Sequence, residues 1–284
     1  MTLASGALLM GPAPAERHAR ADPARAPPAG TAPLWEVGIA GGGVYGADYP
    51  AADERSVRGH GVPYVIYRGD MFRLGEGGAA RGPTAGGGFL EFDIGIDASF
   101  DVDPGGNRAR RGMPELGYLF EVSPEVLVHL GTLGGGRVAF GIPVRAVFST
   151  DFSRIGYRGV IVDPELTYRR GELFGTELGV SASLAVAVAG ERLQDYFYEV
   201  DPAYRTAGRP AHDASGGYLG TDLAVGFAWP VTGRLKVVAQ GHLSFHGGAA
   251  NANSPLFRER LNWALGLGLR WSLYESETRV PWRG

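Results

Sequence analysis

The stretch NWALGLGLRWSLY, residues 262–274, decides the fold class. Its large apolar residues occupy every second position, from Trp263 to Leu273, and small or charged residues such as Gly266 and Arg270 lie between them. A β-strand points alternate side chains to opposite faces. The stretch therefore predicts a strand with one face of Trp and Leu and another face of small or charged side chains.

The same alternation recurs along most of the chain after Leu34. It predicts ten strands, at residues 35–45, 61–74, 88–100, 115–132, 137–148, 157–169, 172–190, 217–230, 234–246 and 262–273. Most gaps between these strands alternate between long and short, as in an up-and-down meander that has long loops at one end and tight turns at the other. No segment with helical periodicity competes with the strands.

Two prolines bear on the strand count. Pro124 and Pro164 lie inside alternating runs, and proline cannot donate a hydrogen bond to a strand ladder. We interpret both as bulges within long strands, because this interpretation keeps ten strands and every long loop at the same end. The count is then ten strands, with twelve as the alternative.

The composition excludes several function classes. The chain has 284 residues, a formal net charge of −3 and no cysteine. It therefore offers no basic footprint for nucleic acid, no disulfide, no thiolate metal site and no cysteine nucleophile. No apolar run approaches the length of about 18 residues that a membrane-spanning helix requires.

The chain divides into four parts by composition. Residues 1–15 contain a short apolar run and a small-residue site at 13–15, and they predict a truncated signal peptide. Residues 16–33 are rich in Ala, Pro and Arg and predict a disordered leader. Residues 34–274 hold the strands of the barrel, and residues 275–284 form a C-terminal tail.

The apolar faces can point in two directions. In a soluble, lipocalin-like barrel they would point inward, but the opposite faces are then too rich in Gly, Ala and Ser for a solvated sheet. In the inverted arrangement the apolar faces point outward and meet lipid. An aromatic girdle at the strand ends is then formed by Trp35, Trp229, Trp263 and Trp271. We therefore predict an all-β protein, a transmembrane up-and-down antiparallel β-barrel in the cell outer membrane.

The inward faces of such a barrel carry the polar residues of the strands. We predict a lumen network made of Glu91, Asp93, Asp97, Glu121, Glu125, Arg145, Glu165, Glu177, Asp222, Lys236, His242 and Arg270. The acids outnumber the bases, so an open lumen would favour cations. No cofactor is predicted, and His242 and His246 are too far apart along a strand, roughly 13 Å, to share a metal.

Enzymatic readings are weak by comparison. Paired lumen carboxylates are suited to acid–base chemistry, but a polar network fills such a barrel whatever its function. Ser244, His242 and Asp222 are the residue types of a hydrolase triad, although no GxSxG elbow is present. We predict no enzyme, and a lipid or lipopolysaccharide hydrolase is the least favoured hypothesis.

One long loop, residues 192–217, has an unusual composition. Its aromatic and charged residues lie at the predicted outer rim, and we predict a candidate extracellular partner loop from Tyr196, Phe197, Tyr198, Arg209 and Pro210. The alternative is a lid that folds over the mouth of the barrel.

Several segments between Trp35 and Leu273 resemble the MipA/OmpV family of outer-membrane proteins. They are VPYVIYRGD (62–70), NRARRGMPELGYLFEVSPEV (107–126), IPVRAVFS (142–149), YRGVIVDPELTY (157–168), DYFYEVDPAYRTAGRPAHDASGGY (195–218) and SPLFRERLNWALGLGLRW (254–271). The segment at 195–218 is the most specific. One departure is the tail ESETRVPWRG, because outer-membrane barrels usually end on an aromatic residue of the last strand.

The resemblance implies an outer-membrane barrel without enzymatic activity. It also implies an interaction with a membrane-bound lytic transglycosylase, and thus a scaffold between murein-synthesising and murein-hydrolysing machinery. The expected partners are these proteins together with outer-membrane lipid and lipopolysaccharide, and not nucleic acid. A narrow, cation-preferring channel is the alternative function.

Overall fold

The computed structural model describes residues 31–68, 73–74, 90–99, 107–151 and 153–281. These residues contain one α-helix, α1 (Glu191–Tyr198), and a 3-10 turn at Pro202–Tyr204. Their strands are β1 (Thr31–Pro33), β2 (Trp35–Ala47), β3 (Arg55–Arg68), β4 (Arg73–Leu74), β5 (Leu90–Ser99), β6 (Tyr118–Leu133), β7 (Gly136–Thr150), β8 (Ile155–Val162), β9 (Glu165–Arg170), β10 (Gly179–Ala189), β11 (Gly217–Pro230), β12 (Leu235–Phe245), β13 (Leu261–Glu275) and β14 (Arg279–Pro281).

Twelve of these strands form one antiparallel sheet. Its order is β4-β3-β2-β13-β12-β11-β10-β8-β7-β6-β5, and β9 pairs with β10 and β7 beside β8. Apart from β4 and β5, and from β8 and β9, strands of this sheet that follow each other in the sequence are neighbours, which is up-and-down topology. The pairing of β13 with β2, where Leu267 lies opposite Gly43, joins the last long strand to the first.

The two faces of the sheet differ as the alternation predicts. On β13 the side chain of Leu267 is 62% exposed on the outer wall, whereas those of Ala264 and Arg270 are buried inside. On β11 Leu223 and Phe227 point outward and Asp222 points inward. An apolar outer wall around a charged interior confirms the predicted transmembrane, up-and-down antiparallel β-barrel. No helix in the described ranges is long and apolar enough to cross a membrane.

The two prolines have different effects on the wall. Pro124 lies within the continuous strand β6. Pro164 follows Asp163 in the gap between β8 and β9, and both of these short strands pair with β7 and β10. They therefore act as one interrupted strand. Counted in this way, and leaving aside the two-residue β4, the described part of the sheet has ten long strands.

Three sequence-based predictions of local structure are wrong. The strand predicted at 61–74 ends at Arg68, and β4 runs back against it with Leu74 opposite Tyr67. The strand predicted at 172–190 begins only at Gly179, because residues 171–178 form a turn in which Phe174 and Gly175 have positive φ. Helix α1 was also missed, although Leu193 and Phe197 in it have the four-residue spacing of a helix face.

The two ends of the barrel are distinct. Residues 48–54, 107–117, 151, 153–154, 190–216 and 246–260 lie at one end, which we call the loop end. The turns 134–135, 171–178 and 231–234 lie at the other, which we call the turn end.

The first and last described strands of the chain also meet at the turn end. There β1 pairs with β14, with Thr31 opposite Pro281, and the Leu34 amide donates to the Thr278 carbonyl at 2.8 Å. Residues 31–33 of the predicted leader and 279–281 of the predicted tail therefore form a pair of strands, because each satisfies the other's backbone hydrogen bonds. The predicted signal peptide lies outside the described residues.

Candidate functional site: a capped polar lumen

The lumen contains three groups of polar side chains, and the members of each group contact one another. The first group is centred on Arg145 of β7. Its Nη1 lies 3.3 Å from Glu121 Oε2 on β6, and its Nη2 lies 2.6 Å from Asp163 Oδ2. All three side chains are buried. A buried charge without a partner is costly, so one guanidinium between two carboxylates is what makes these ions tolerable in the lumen.

The second group lies at the turn end. Glu36 of β2 pairs with Arg68 Nη2 at 3.2 Å and with Arg270 Nη2 at 3.5 Å. Arg68 also donates from Nη1 to the carbonyl of Pro33 at 2.9 Å, which ties β1 to the barrel. The guanidinium of Arg270 lies 5.5 Å from the ring centroid of Tyr64. This group therefore joins the lumen to the paired termini.

The third group tests the hydrolase hypothesis. Ser244 of β12 lies opposite Asp222 of β11 and donates its hydroxyl proton to Asp222 Oδ1 at 2.5 Å. His242 lies two pairs further along, opposite Ala224. A catalytic triad requires the imidazole between the hydroxyl and the carboxylate. Here the hydroxyl bonds the carboxylate directly, so the three residues are not arranged for nucleophilic catalysis.

The other predicted lumen residues occupy different positions. Glu165 lies at the start of β9 and lines a water-sized cavity together with Arg169, Ser181 and Gln240. Lys236 lies opposite Arg270 on the neighbouring strand. Glu177 is not in a strand, because it falls in the turn 171–178.

The remaining acids fall outside the described side chains. These are Glu91, Asp93, Asp97 and Glu125; the backbone register places Asp97 opposite Glu121 and Asp93 opposite Glu125. Among the described residues no group of three or more His, Asp or Glu side chains could hold a metal ion.

A packed layer of apolar side chains closes the loop end of the lumen. We call it the cap and define it as residues 48–54, 107–117, 190–216 and 246–260, which include α1. Its apolar side chains pack onto inward residues of the wall. The cap contributes Tyr49, Met113, Leu116, Leu193, Phe197, Tyr198, Val200 and Leu256, and the wall contributes Leu119, Val147, Ile161, Ala187, Ala189 and Leu219.

Two tyrosines link the segments of the cap. The fully buried Tyr198 donates its hydroxyl to the Pro50 carbonyl at 2.9 Å. Tyr49 donates to the Leu256 carbonyl, also at 2.9 Å. Burial raises the pKa of both phenols, so both hydroxyls stay protonated and remain donors. The 190–216 segment, the first loop and the last loop are thus joined by directional bonds as well as by packing.

Two buried arginines serve the backbone of the cap. Arg110 donates to the Phe197 carbonyl at 2.9 Å, and burial lowers the pKa of this guanidinium. Arg209 donates from Nη1 to the carbonyls of Ala109 and Arg111 at 2.9 and 3.0 Å. A guanidinium offers five donors in a fixed plane and therefore satisfies carbonyls that no strand reaches. Both arginines connect the 107–117 loop to the 190–216 segment.

Asn251 and His246 complete the cap from the last loop. The Asn251 amide donates to Gln194 Oε1 on α1 at 3.0 Å and to the Ser215 carbonyl at 2.8 Å. His246 Nδ1 lies 2.9 Å from the Leu219 carbonyl, which requires the proton on that nitrogen. Burial lowers the pKa of His246 to about 4, so its ring is neutral at pH 7.

Most of the aromatic loop predicted to face a partner is part of the cap. Of the residues predicted to face a partner, Phe197, Tyr198 and Arg209 are buried. Tyr196 is half-buried, with the guanidinium of Arg158 4.3 Å from its ring centroid. Pro210 is exposed. The loop has the geometry of a lid, because its aromatic side chains supply the apolar surface that covers the lumen.

The residues that contact this lid could not be recognised from the sequence. Tyr49, Arg110, Asn251 and Leu256 lie in three loops that carry no strand or helix periodicity, and they meet only in the tertiary structure. The one usable signal was the four-residue spacing of Leu193 and Phe197, which indicates a helix that must bury one face.

The predicted girdle residues lie on the outer wall. Trp35, Trp229 and Trp271 are exposed near the turn end, and Trp263 is exposed near the loop end. The ring of Tyr45 lies 5.5 Å from that of Trp263. Aromatic side chains at both rims of an apolar band are typical of barrels that meet the two interfaces of a membrane.

Together these features define a class of protein. An antiparallel barrel with an apolar, aromatic-rimmed outer wall and a charged lumen is an outer-membrane barrel protein. The sequence comparison is more specific, because residues 39–273 match the family model described as "MltA-interacting protein MipA". This chain belongs to that family.

The solved structures found by structural comparison have low sequence identity to this chain. The NanC porin has a TM-score of 0.39 and 8% identity, over 83% of this chain and 100% of that one. A bacterial polysaccharide outer-membrane secretin has a TM-score of 0.38 and 12% identity, over 84% and 98%. The Ralstonia pickettii toluene transporter TbuX has a TM-score of 0.28 and 9% identity, over 83% and 90%. No curated protein matches the sequence.

Proposed function

We propose that this protein is a non-conducting barrel of the cell outer membrane that acts as a binding scaffold rather than as an enzyme. The cap carries the proposal, because a packed apolar layer across the lumen opposes the passage of hydrated ions. The family description, which refers to an interaction with MltA, supports a murein hydrolase and its associated synthases as the partners. Neither the cap nor the ionic groups beneath it favour the alternative of a cation channel.

The experiment that tests this proposal is the conductance of the refolded chain in a planar bilayer. We expect no current steps from protein whose heat-shifted gel mobility shows that it is folded. Steady steps with a preference for cations would contradict the proposal and establish the channel alternative instead.

The partner surface is proposed at the turn end. Long loops of outer-membrane barrels face outward and short turns face the periplasm, where murein lies. At that end Phe174 is 88% exposed, and its φ of 54° is in the left-handed region that costs a non-glycine residue of order 1–3 kcal/mol. Leu133, beside the neighbouring turn, is also exposed. A strained, exposed aromatic residue is suited to serve as an anchor in a protein interface.

Replacing Phe174 tests the turn-end surface. Asparagine tolerates positive φ, so Phe174→Asn leaves the turn intact while it removes the ring. We expect this variant to weaken binding to a soluble MltA-type transglycosylase about tenfold or more, the size of an interface hot spot. The measurement is surface plasmon resonance on the barrel in detergent.

The matched control is Val231→Asn, which removes an exposed apolar residue from the turn 231–234. We expect it to bind like the wild type. Equal affinity of wild type and Phe174→Asn would place the partner surface elsewhere, and absence of binding by the wild type would contradict the murein partner.

A further inference from the structure

A row of three aromatic side chains lies on the outer wall near the loop end. Phe120 on β6, Phe148 on β7 and Tyr157 on β8 are opposite one another in register. The first two rings are stacked with centroids 5.3 Å apart, and the centroids of Phe148 and Tyr157 are 5.5 Å apart. We call these residues the aromatic row. Below it the wall continues with exposed aliphatic side chains such as Val144 and Ile142.

A cation stands at the outer end of this row. Arg192 of α1 reaches from the cap to Tyr157, with its guanidinium 5.5 Å from the ring centroid. Arg154, three residues before Tyr157, is exposed at the same rim. Within the described residues neither arginine forms an ion pair, although Glu191 and Asp195 lie near Arg192 on the helix. The guanidinium of Arg192 is therefore held over an apolar surface and keeps its donors for an external anion.

We propose that the aromatic row with Arg192 and Arg154 binds the phosphorylated head of a lipid A molecule, whose acyl chains lie along the aromatic row and the aliphatic wall below it. Two observations specify this occupant. The wall is apolar along the direction in which acyl chains run. At its outer end stand the guanidinium groups of Arg192 and Arg154, neither of which forms an ion pair within the described residues, although the acids Asp151, Glu191 and Asp195 lie at the same rim. Guanidinium groups bind phosphate oxygens through paired hydrogen bonds.

The choice of lipid A follows from the side of the membrane. The inference rests on the proposed outer-membrane orientation, in which the loop end faces outward. In that orientation the row lies in the outer leaflet, where the phosphate groups belong to lipid A. An acidic phospholipid has a related head and tails, and the experiment separates the two. Because Arg192 is part of α1, this contact would also hold the lid against the outer rim.

The test is native mass spectrometry of the full chain, refolded in detergent and mixed with lipid A. We expect the wild type to retain lipid A, and Arg192→Gln to lower the apparent affinity about tenfold, because a charge-assisted bond to phosphate is lost. Arg205→Gln, which removes an exposed arginine elsewhere in the cap, is the matched control and should bind like the wild type. Dephosphorylated lipid A should bind the wild type as weakly as lipid A binds Arg192→Gln.

Three results would overturn the inference. They are equal retention by wild type and Arg192→Gln, an equal loss in Arg205→Gln, and displacement of lipid A by an equal amount of phosphatidylglycerol. Heat-shifted gel mobility of each variant establishes that it is folded. A failure of the proposed scaffold function would be seen separately. The barrel could conduct ions, or fail to bind its partner at the turn end, and still bind lipid A.

Discussion

We expect Tyr198→Ala to open the barrel to ions that the proposed non-conducting wild type excludes. The substitution removes a fully buried ring from the centre of the cap and leaves the Pro50 carbonyl without its hydroxyl donor. Large-to-small changes of buried aromatic residues cost about 3–5 kcal/mol. This loss falls on the cap, because the wall is held by its own strand ladder. We therefore expect intermittent current steps from this variant in a planar bilayer, and none from the wild type.

The matched control for this result is Tyr198→Phe. It keeps the ring and its packing against Phe197, whose ring centroid is 6.2 Å away, and it loses only the hydroxyl. We expect this variant to remain silent and to lose about 1–3 kcal/mol for the unpaired Pro50 carbonyl. A silent Tyr198→Ala variant that is folded by gel mobility would show that the seal lies deeper, at the ionic groups of the lumen.

Arg145→Met destabilises the barrel wall itself. The change leaves Glu121 and Asp163 as buried carboxylates without the guanidinium that lies 3.3 and 2.6 Å from them. Breaking a buried pair by removing one partner costs about 3–5 kcal/mol, which is a large share of the stability of a domain. The expected result is a lower midpoint of guanidinium-induced unfolding. The fraction of folded protein is measured by its heat-shifted gel mobility.

A triple variant separates charge from packing in this result. Arg145→Met combined with Glu121→Gln and Asp163→Asn removes the two carboxylate charges as well, while it keeps side chains of similar size. We expect most of the lost stability to return, because replacing a complete buried ion group by neutral side chains is often nearly neutral. If the triple variant is no more stable than Arg145→Met, the loss comes from the guanidinium stem and its packing.

The wall was predictable from particular residues. The alternation of Trp263 to Leu273 with small and charged residues fixes which side chains share a face, since a strand has a period of two. The same period places Arg145, Asp222 and Arg270 inside and Trp229 outside, and the structure has them there. Segment 172–190 departed from this pattern because Gly171, Gly175 and the left-handed Phe174 form a turn. Side-chain periodicity alone does not predict that turn.

The candidate site was only partly predictable. The residue types on the inner face predict a charged lumen. The pairing of Arg145 with Glu121 and Asp163, however, depends on the register of β6, β7 and the interrupted β8–β9 strand. The cap could not be predicted from the sequence, because it joins segments up to about two hundred residues apart. Tyr49 and Leu256, which share a hydrogen bond, are separated by 207 positions.

By itself the sequence determined that this protein is a barrel with its apolar face turned to lipid, because side-chain alternation is a local property of each strand. The tertiary structure alone decided that the lumen is capped, that the termini pair at the turn end, and that Arg192 stands over Tyr157. These contacts depend on how loops without periodicity fold back over the mouth. Their energy comes from burying apolar surface and satisfying backbone carbonyls that become neighbours only after the sheet has formed.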